Sequence, residues 1–191
     1  MSSLTAAQAE LVAQVLRNPT NAAILNDWHA LELPDGWLVA GCLFQSVWNL
    51  RSARPVQEGI KDYDVFYFDA TDLSEAGERD VQARVDARFA GLGITLEAKN
   101  QARVHLWYHD FFGHPYPALR DARDGIDRFL VRETCVGLRP APSGWEVHAP
   151  NGVETIAAGT LSRNPLTPHG ALFDAKAASY QARWPWLRIA D

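Results

Sequence analysis

The architecture of the chain follows from residues 37–69, which have the sequence WLVAGCLFQSVWNLRSARPVQEGIKDYDVFYFD. The apolar run at 37–41 predicts a short buried strand, and the apolar residues that follow at helical spacing predict a helix beginning after the glycine. The aromatic, β-prone run at 63–68 predicts the next strand. The segment therefore predicts a strand, a glycine bend, a helix and a second strand.

Two acidic residues, Asp62 and Asp64, open this second strand. Side chains alternate along a strand, so both carboxylates point to one face with their Cα atoms about 7 Å apart. Two carboxylates at this spacing can share divalent ions, and Mg²⁺ is usually held by one or two carboxylates together with substrate phosphates. The simpler alternative, that both acids only cap the strand in water, is the commoner outcome for a three-residue motif.

The bend Val39-Ala40-Gly41-Cys42 precedes the acidic strand by some twenty residues. Gly41 removes a side chain where a phosphate could approach, and the following helix offers free N–H donors at its positive end. By itself the bend is equally compatible with a plain tight turn. Placed before the acidic strand, it predicts a phosphate cradle that faces a metal site.

With these features the chain resembles the nucleotidyltransferase superfamily that includes DNA polymerase beta. It more closely resembles a group of small bacterial nucleotidyltransferase-like proteins, over most of residues 37–165. The matching segments are residues 40–49 (AGCLFQSVWN), 60–69 (IKDYDVFYFD) and 99–108 (KNQARVHLWY), with a weaker match at 149–152 (APNG).

The resemblance implies metal-dependent transfer of a nucleoside monophosphate from a nucleoside triphosphate (NTP) to an unknown acceptor. It implies that Asp62 and Asp64 are catalytic and hold two Mg²⁺ ions, or Mn²⁺. A third carboxylate normally comes from a neighbouring strand, and Glu97 is the candidate, since it alternates out of phase with the apolar residues 94–98. The alternative for Glu97 is a solvated strand residue.

The resemblance also implies that the backbone of Gly41 and Cys42, together with Ser46, holds the phosphates. In the superfamily a glycine or serine usually follows the first glycine, whereas Cys42 occupies that position here and lacks a hydroxyl donor. This substitution motivates an alternative function, a catalytically decayed nucleotide or small-ligand binding protein on the same fold. A third possibility is a stress or toxin–antitoxin protein that modifies a macromolecule.

Residues 100–105 (NQARVH) are dense in polar groups between apolar flanks. Strands are expected at 94–98 and at 104–108, so half-buried polar groups in this region would need partners. A nucleotide could supply them, with Arg103 on a phosphate, Asn100 or Gln101 on a base or ribose, and His105 as a donor or acid/base group. The alternative is an internal network that pins the sheet to the C-terminal part.

The whole chain is expected to form one α+β domain with a polymerase-beta-like nucleotidyltransferase core, a mixed sheet flanked by helices. The core is placed at about residues 20–110 and a small C-terminal extension at about 115–191. The extension is expected to contain a helical stripe at 119–130, two strands at 134–138 and 145–148, and a helix at 171–184.

Composition limits the classes of partner. The 191 residues are 47% apolar and 21% charged, with a net charge of −5, so a broad basic surface for nucleic acid is not expected and a small-molecule acceptor is favoured. The longest apolar run, 37–44, is too short to cross a bilayer, and the first residues do not resemble a secretory signal. No membrane partner is therefore expected. Two distant cysteines favour a reduced, cytoplasmic protein. The sequence predicts no oligomeric state.

Overall fold

The computed structural model describes residues 4–190 of the chain. The strands are β1 (Trp37–Val39), β2 (Asp62–Tyr67), β3 (Thr95–Asn100), β4 (Gly137–Ala141), β5 (Gly144–His148), β6 (Thr160–Leu161) and β7 (Arg188–Ile189). The α-helices are α1 (Ala6–Leu16), α2 (Pro19–Asn26), α3 (Gly41–Arg51), α4 (Glu75–Phe89), α5 (Val104–Phe112), α6 (Ala122–Ile126), α7 (Glu154–Ala158) and α8 (Gly170–Arg183). Short 3₁₀ helices lie at Trp28–Leu31, Ala90–Leu92, Gln101–Arg103 and Arg132–Thr134.

A mixed five-stranded sheet with the order β3-β2-β1-β4-β5 forms the centre of the fold. β2 and β3 run parallel, whereas β1 is antiparallel to both β2 and β4, and β4 and β5 form an antiparallel hairpin. β6 and β7 make a separate parallel pair. The expected α+β architecture, a mixed sheet flanked by helices, is confirmed.

Side-chain caps fix the starts of three helices. Thr5 and Gln8 form a capping box at α1. The Asn18 side chain accepts hydrogen bonds from the first turn of α2, which begins with Pro19, and Ser74 accepts one at the start of α4. Each cap satisfies N–H groups that have no acceptor within the helix, which typically contributes about 1 kcal/mol.

The larger core covers one face of the sheet and is contributed mainly by α1–α4, α7 and α8. Trp48 of α3 is fully buried there and donates from Nε1 to the Ile156 carbonyl at 2.8 Å. Trp184, just after α8, donates to Asn49 Oδ1 at 3.0 Å, which fixes the C-terminal helix against α3. On the opposite face, a smaller core under α6 covers β1. The cleft described below opens on this second face of the sheet.

The predicted C-terminal extension is part of the main sheet rather than a small addition to it. β4 pairs with β1 and carries β5 at the sheet edge, so residues assigned to the extension supply two of the five strands. The hairpin itself was expected, but its partner strand is one hundred residues away in sequence, which local patterns cannot reveal.

The strand expected at 104–108 is wrong, because these residues begin helix α5. The Asn100 side chain accepts a hydrogen bond from the Ala102 N–H and starts a 3₁₀ turn that continues into the helix. This local cap outweighs the β propensity of the aromatic residues that follow. None of the helices within residues 4–190 combines the length and apolar character needed to cross a membrane.

Candidate active site

The connection from β1 into α3 is a tight, strained bend. Ala40 has φ 61° and ψ −132°, a conformation that a residue with a Cβ rarely adopts. The Ala40 carbonyl accepts hydrogen bonds from the N–H groups of Leu43 and Phe44, so the N–H groups of Gly41 and Cys42 are the first two of the helix and have no intrahelical acceptor. Strain of this kind is found preferentially at functional sites.

Three carboxylates share one face of the sheet beside this bend. Asp62 and Asp64 lie on the same side of β2, and Asp64 is directly opposite Glu97 in the parallel register with β3. Neighbouring strands are about 4.8 Å apart, so Asp64 and Glu97 are adjacent across the pair of strands. Val39, just before the bend, pairs with Asp64 on the other side of β2. The register therefore brings together the glycine bend and the three acids that the sequence singled out.

The electrostatic environment of Asp64 is dominated by burial and by like charges. Its pKa is raised from 3.8 to about 7, first by burial and then by the neighbouring charges of Asp62 and Glu97. Lys176 and Lys99 oppose this rise. An acidic group in this setting holds its proton up to neutral pH unless additional positive charge is supplied.

A cleft of about 440 Å³ is lined by Asp62, Asp64, Lys99 and Lys176, whereas Glu97 is not among the residues that line it. At one end, which we call the carboxylate end, it is lined by Asp62, Asp64, Gly41 and Gln45. At the other, the aromatic end, it is lined by the rings of Trp107, Tyr108, Phe112, Tyr116, Phe66 and Phe129. The volume falls within the range of pockets that bind small molecules and cofactors.

Three cationic side chains line the same cleft, although the chain as a whole is acidic. Lys99 follows Glu97 on β3 and lies 3.7 Å from its carboxylate. Lys176 is exposed on α8, and among residues 4–190 no carboxylate lies within ion-pair distance of it. Arg128 follows α6 at the aromatic end. Positive charges therefore face the carboxylates from both β3 and α8, as a polyanionic ligand would require.

The absence of a side chain at Gly41 lets the Gln45 amide lie close to the bend. A Cβ at this position would lie 2.6 Å from Nε2 of Gln45. The Gln45 Oε1 atom accepts a hydrogen bond from Arg183 at 2.8 Å, which fixes the amide so that its NH₂ group faces the glycine. Gln45 therefore adds a donor to the free N–H groups at the start of α3.

The side chains of Cys42 and Ser46 do not reach the cleft, contrary to the expectation for Ser46. The Ser46 hydroxyl is buried and donates to the Cys42 carbonyl at 2.7 Å, while it accepts from Asn18. The Cys42 thiol is buried and donates to the Val39 carbonyl at 3.3 Å, and burial, followed by the charge of Asp64, raises its pKa. Only the backbone of Cys42 remains a candidate phosphate ligand, and a serine hydroxyl in the same buried place would not reach the cleft either.

Asn100 and Arg103 do not line the cleft, contrary to their expected place in the site, and their polar groups are engaged within the protein. The Asn100 side chain exchanges hydrogen bonds with the backbone of Asp69, at 3.0 and 2.9 Å. Arg103 is buried, pairs with Glu78 of α4, and donates to the Leu73 carbonyl at 3.3 Å. These groups form the internal network that was the alternative interpretation, because they point to the face of β3 covered by α4.

His105 is half-buried on α5 and is not among the residues that line the cleft. Its Nδ1 atom has no hydrogen-bond partner in the described part of the chain. Because 104–112 is a helix, His105 and His109 share a helix face, but residues 4–190 contain no cluster of three His, Cys, Asp or Glu side chains that could hold a metal ion.

The carboxylate end nevertheless fits Mg²⁺. This ion is commonly held by one or two carboxylates, with substrate phosphates and water completing its shell, so a cluster of three protein ligands is not required. Asp62 and Asp64 are the residues that would hold it. Burial and then the charges of Asp62 and Glu97 raise the pKa of Asp64, and a bound divalent cation would oppose this rise.

Four charged or amide side chains of the cleft were missed by the sequence analysis: Gln45, Lys99, Arg128 and Lys176. Two of them carry a local signal, since Gln45 lies one helical turn after the glycine of the bend and Lys99 lies two residues after the acid on β3. Arg128 and Lys176 carry none, because only tertiary packing brings them to the cleft.

Comparisons with known proteins identify the family and a similar fold. A family model described as nucleotidyltransferase matches residues 26–189. The chain is also similar to a solved NMR structure described as a CCA-adding enzyme head domain, with a TM-score of 0.78 and 25% sequence identity over 96% of this chain and 95% of that one. No curated protein matches the chain significantly.

Proposed function

The chain belongs to the nucleotidyltransferase family, and we propose that it transfers a nucleoside monophosphate from an NTP to an acceptor in a reaction that requires a divalent metal ion. The observation that carries the proposal is the position of Asp64. It lies half-buried between Asp62 and Glu97, in one cleft with a glycine bend that begins a helix.

The carboxylate end has the chemistry of a metal–polyphosphate site. Mg²⁺ held by Asp62 and Asp64 would neutralise the charge that develops on the phosphate oxygens. The N–H groups of Gly41 and Cys42 and the amide of Gln45 would donate to these oxygens, because a helix N-terminus favours anions.

The two lysines would hold the pyrophosphate portion from opposite walls of the cleft. Lys99 extends from β3 and Lys176 from α8, and both lie near enough to Asp64 to oppose the rise of its pKa. Their charges would stabilise the leaving pyrophosphate as its bond to the transferred phosphorus breaks.

Glu97 is the candidate general base. The acceptor hydroxyl oxygen would attack the phosphorus next to the ribose, its proton would pass to the Glu97 carboxylate, and pyrophosphate would leave with the electrons of the broken P–O bond. Glu97 suits this role because it lies directly opposite Asp64 and remains half-exposed, so an acceptor can approach it.

We favour a small-molecule acceptor over a nucleic acid. The chain has a net charge of −5, and in the described part of the chain three cationic side chains line the cleft, two of them beside the carboxylates. A protein that binds a long phosphodiester backbone usually presents a more extensive basic surface.

Isothermal titration of the four NTPs with Mg²⁺ tests the metal and phosphate site. Wild-type protein is expected to bind at least one NTP only when Mg²⁺ is present, and Asp64→Asn is expected to lose this binding. Asp69→Asn is the matched control, since Asp69 caps an exposed turn through Thr71 and does not line the cleft. Equal binding by wild type and Asp64→Asn would contradict the metal-site assignment.

A labelled NTP tests transfer itself. Incubation of the protein with an NTP labelled on the phosphate next to the ribose, in an extract of small metabolites or of RNA, is expected to give a labelled small molecule and pyrophosphate. Label in RNA would overturn the acceptor class. Tight binding without pyrophosphate release from either extract would favour the alternative function, a binding protein without catalysis.

A further inference from the structure

The aromatic end of the cleft has no part in the metal and phosphate chemistry proposed above. Tyr108 packs against Tyr116 with ring centroids 4.2 Å apart and against Phe112 at 4.6 Å. Phe66 and Phe129 contact each other at 5.6 Å and line the same end from the sheet and from the segment after α6. Rings thus line this end from two directions, which suits a flat aromatic ligand.

Arg128 lies at this end with unused hydrogen-bonding capacity. Its Nε atom is buried and has no partner in the described part of the chain. Its Nη1 atom donates to the Leu166 carbonyl at 3.3 Å, and its guanidinium lies 5.8 Å from the centroid of the Tyr116 ring. A buried donor without an acceptor destabilises a fold, so a ligand that offers an acceptor here would gain affinity.

The aromatic and carboxylate ends are continuous. Asp62, Asp64 and Phe66 alternate along one face of β2, which places the Cα atoms of Asp64 and Phe66 about 7 Å apart. Lys99 is opposite Phe66 in the register of β2 and β3. A single ligand with a polyanionic part and an aromatic part can therefore occupy both ends.

Two further polar side chains that line the cleft have partners within the protein. Gln101 donates to the Lys99 carbonyl at 3.3 Å, and the Thr134 hydroxyl donates to the Val131 carbonyl at 2.7 Å. The ligand would therefore be recognised by stacking and by the donors of Arg128. Arginine donors pair with N7, which both purines carry, and with O6 of guanine, and stacking increases with the size of the ring.

We propose that the aromatic end binds the nucleobase of the NTP, that its rings stack against the base, and that Arg128 selects purines. This proposal rests on the proposed function, because the base is positioned by phosphates bound at the carboxylate end. Selectivity arises from one arginine and from stacking, so a preference of about tenfold for GTP and ATP over CTP and UTP is expected, equivalent to about 1.4 kcal/mol.

Inorganic tripolyphosphate separates base binding from phosphate binding. In the presence of Mg²⁺, wild-type protein is expected to bind GTP and ATP at least about tenfold more tightly than tripolyphosphate. Arg128→Gln is expected to lose most of this difference and to keep the affinity of the wild type for tripolyphosphate. Thermal unfolding of the variant without ligand establishes that it is folded at the temperature of the titration.

Two neighbouring phenylalanines give a second, matched comparison. Phe112 lines the aromatic end and is 39% exposed, whereas Phe111 on the same helix is 77% exposed and does not line the cleft. Phe112→Leu is expected to weaken GTP binding severalfold without a change for tripolyphosphate, and Phe111→Leu is expected to change neither affinity.

Three results would overturn the base site while leaving the proposed function intact. These are equal affinities of the wild type for GTP and tripolyphosphate, equal losses for both ligands in Arg128→Gln, and unchanged GTP affinity in both Arg128→Gln and Phe112→Leu. The last result would also assign the aromatic end to an aromatic acceptor instead. Failure of the wild type to bind either ligand with Mg²⁺ would overturn the proposed function, and the base site with it.

Discussion

Replacement of Asp64 by asparagine is expected to stabilise the metal-free protein while it abolishes nucleotidyl transfer. A rise of the Asp64 pKa from 3.8 to about 7 corresponds to about 4 kcal/mol at 1.36 kcal/mol per pKa unit. This is the cost of ionising the buried side chain beside Asp62 and Glu97, and it is an upper limit because asparagine is also polar. A gain of about 2 kcal/mol is expected, which would raise Tm by about 4–8 °C in a domain of this size.

The stabilisation should depend on pH in a defined direction. The folded-state pKa of Asp64 lies above its unfolded value, so the folded protein binds the proton more tightly and loses stability as pH rises from about 4 to about 7. The asparagine variant lacks this loss. The difference in stability between variant and wild type should therefore be larger at pH 8 than at pH 5.

Thermal unfolding in EDTA at pH 5 and pH 8 measures both effects. Addition of Mg²⁺ at pH 8 should then stabilise the wild type but not Asp64→Asn, because a bound ion offsets the repulsion only when the carboxylate is present. Asp80→Asn, on the exposed side of α4, is the control and should change Tm little. A variant less stable than the wild type at pH 8 without metal, or a difference independent of pH, would refute the reasoning.

Four further substitutions separate binding, chemistry and folding. Gly41→Ala would displace the Gln45 amide from the bend and should raise KM for the NTP with little change in Tm; an unchanged KM would contradict the phosphate cradle. Glu97→Gln should lower kcat by about 10²–10⁴-fold and leave NTP affinity nearly unchanged, and full activity would exclude it as the base. Lys176→Gln should weaken NTP and tripolyphosphate binding alike by about tenfold; a loss for NTP alone would contradict a phosphate contact. Arg103→Leu leaves Glu78 without its buried partner and should lower the free energy of unfolding in urea by about 3 kcal/mol, while the folded variant keeps wild-type NTP affinity.

The local patterns of the sequence predicted most of the elements that position the candidate site. The strand, bend, helix and strand over 37–69 are encoded by apolar periodicity and one glycine, and each signal acts within a few residues. Alternation along β2 and β3 also places Asp62, Asp64 and Glu97 on one face, and the parallel register adds only that Glu97 lies opposite Asp64.

Helix phase explains why Ser46 was assigned to the site and Gln45 was not. The two are adjacent on α3, but a helix turns by about 100° per residue, so Gln45 faces the cleft and Ser46 faces α1 and α2. The sequence identifies both as polar residues on an apolar helix. Which of them faces the ligand depends on the direction of packing against the rest of the chain.

The polar run at 100–105 shows a second limit to what the sequence can predict. Its density of hydrogen-bonding groups indicates that partners are needed, but it does not indicate whether a ligand or the protein provides them. The partners are Glu78 of α4 and the turn around Asp69, which are distant in sequence. Arg128 and Lys176 illustrate the converse case, in which isolated charges reach the cleft only through tertiary packing.

Crystals grown with Mn²⁺ and a non-hydrolysable GTP analogue, measured at the manganese absorption edge, provide the most direct test of the central claim. An anomalous peak is expected within coordination distance of Asp62, Asp64 and the phosphate oxygens, with those oxygens at the N–H groups of Gly41 and Cys42. A metal and triphosphate bound elsewhere on the molecule, with these carboxylates free of the ion, would contradict it.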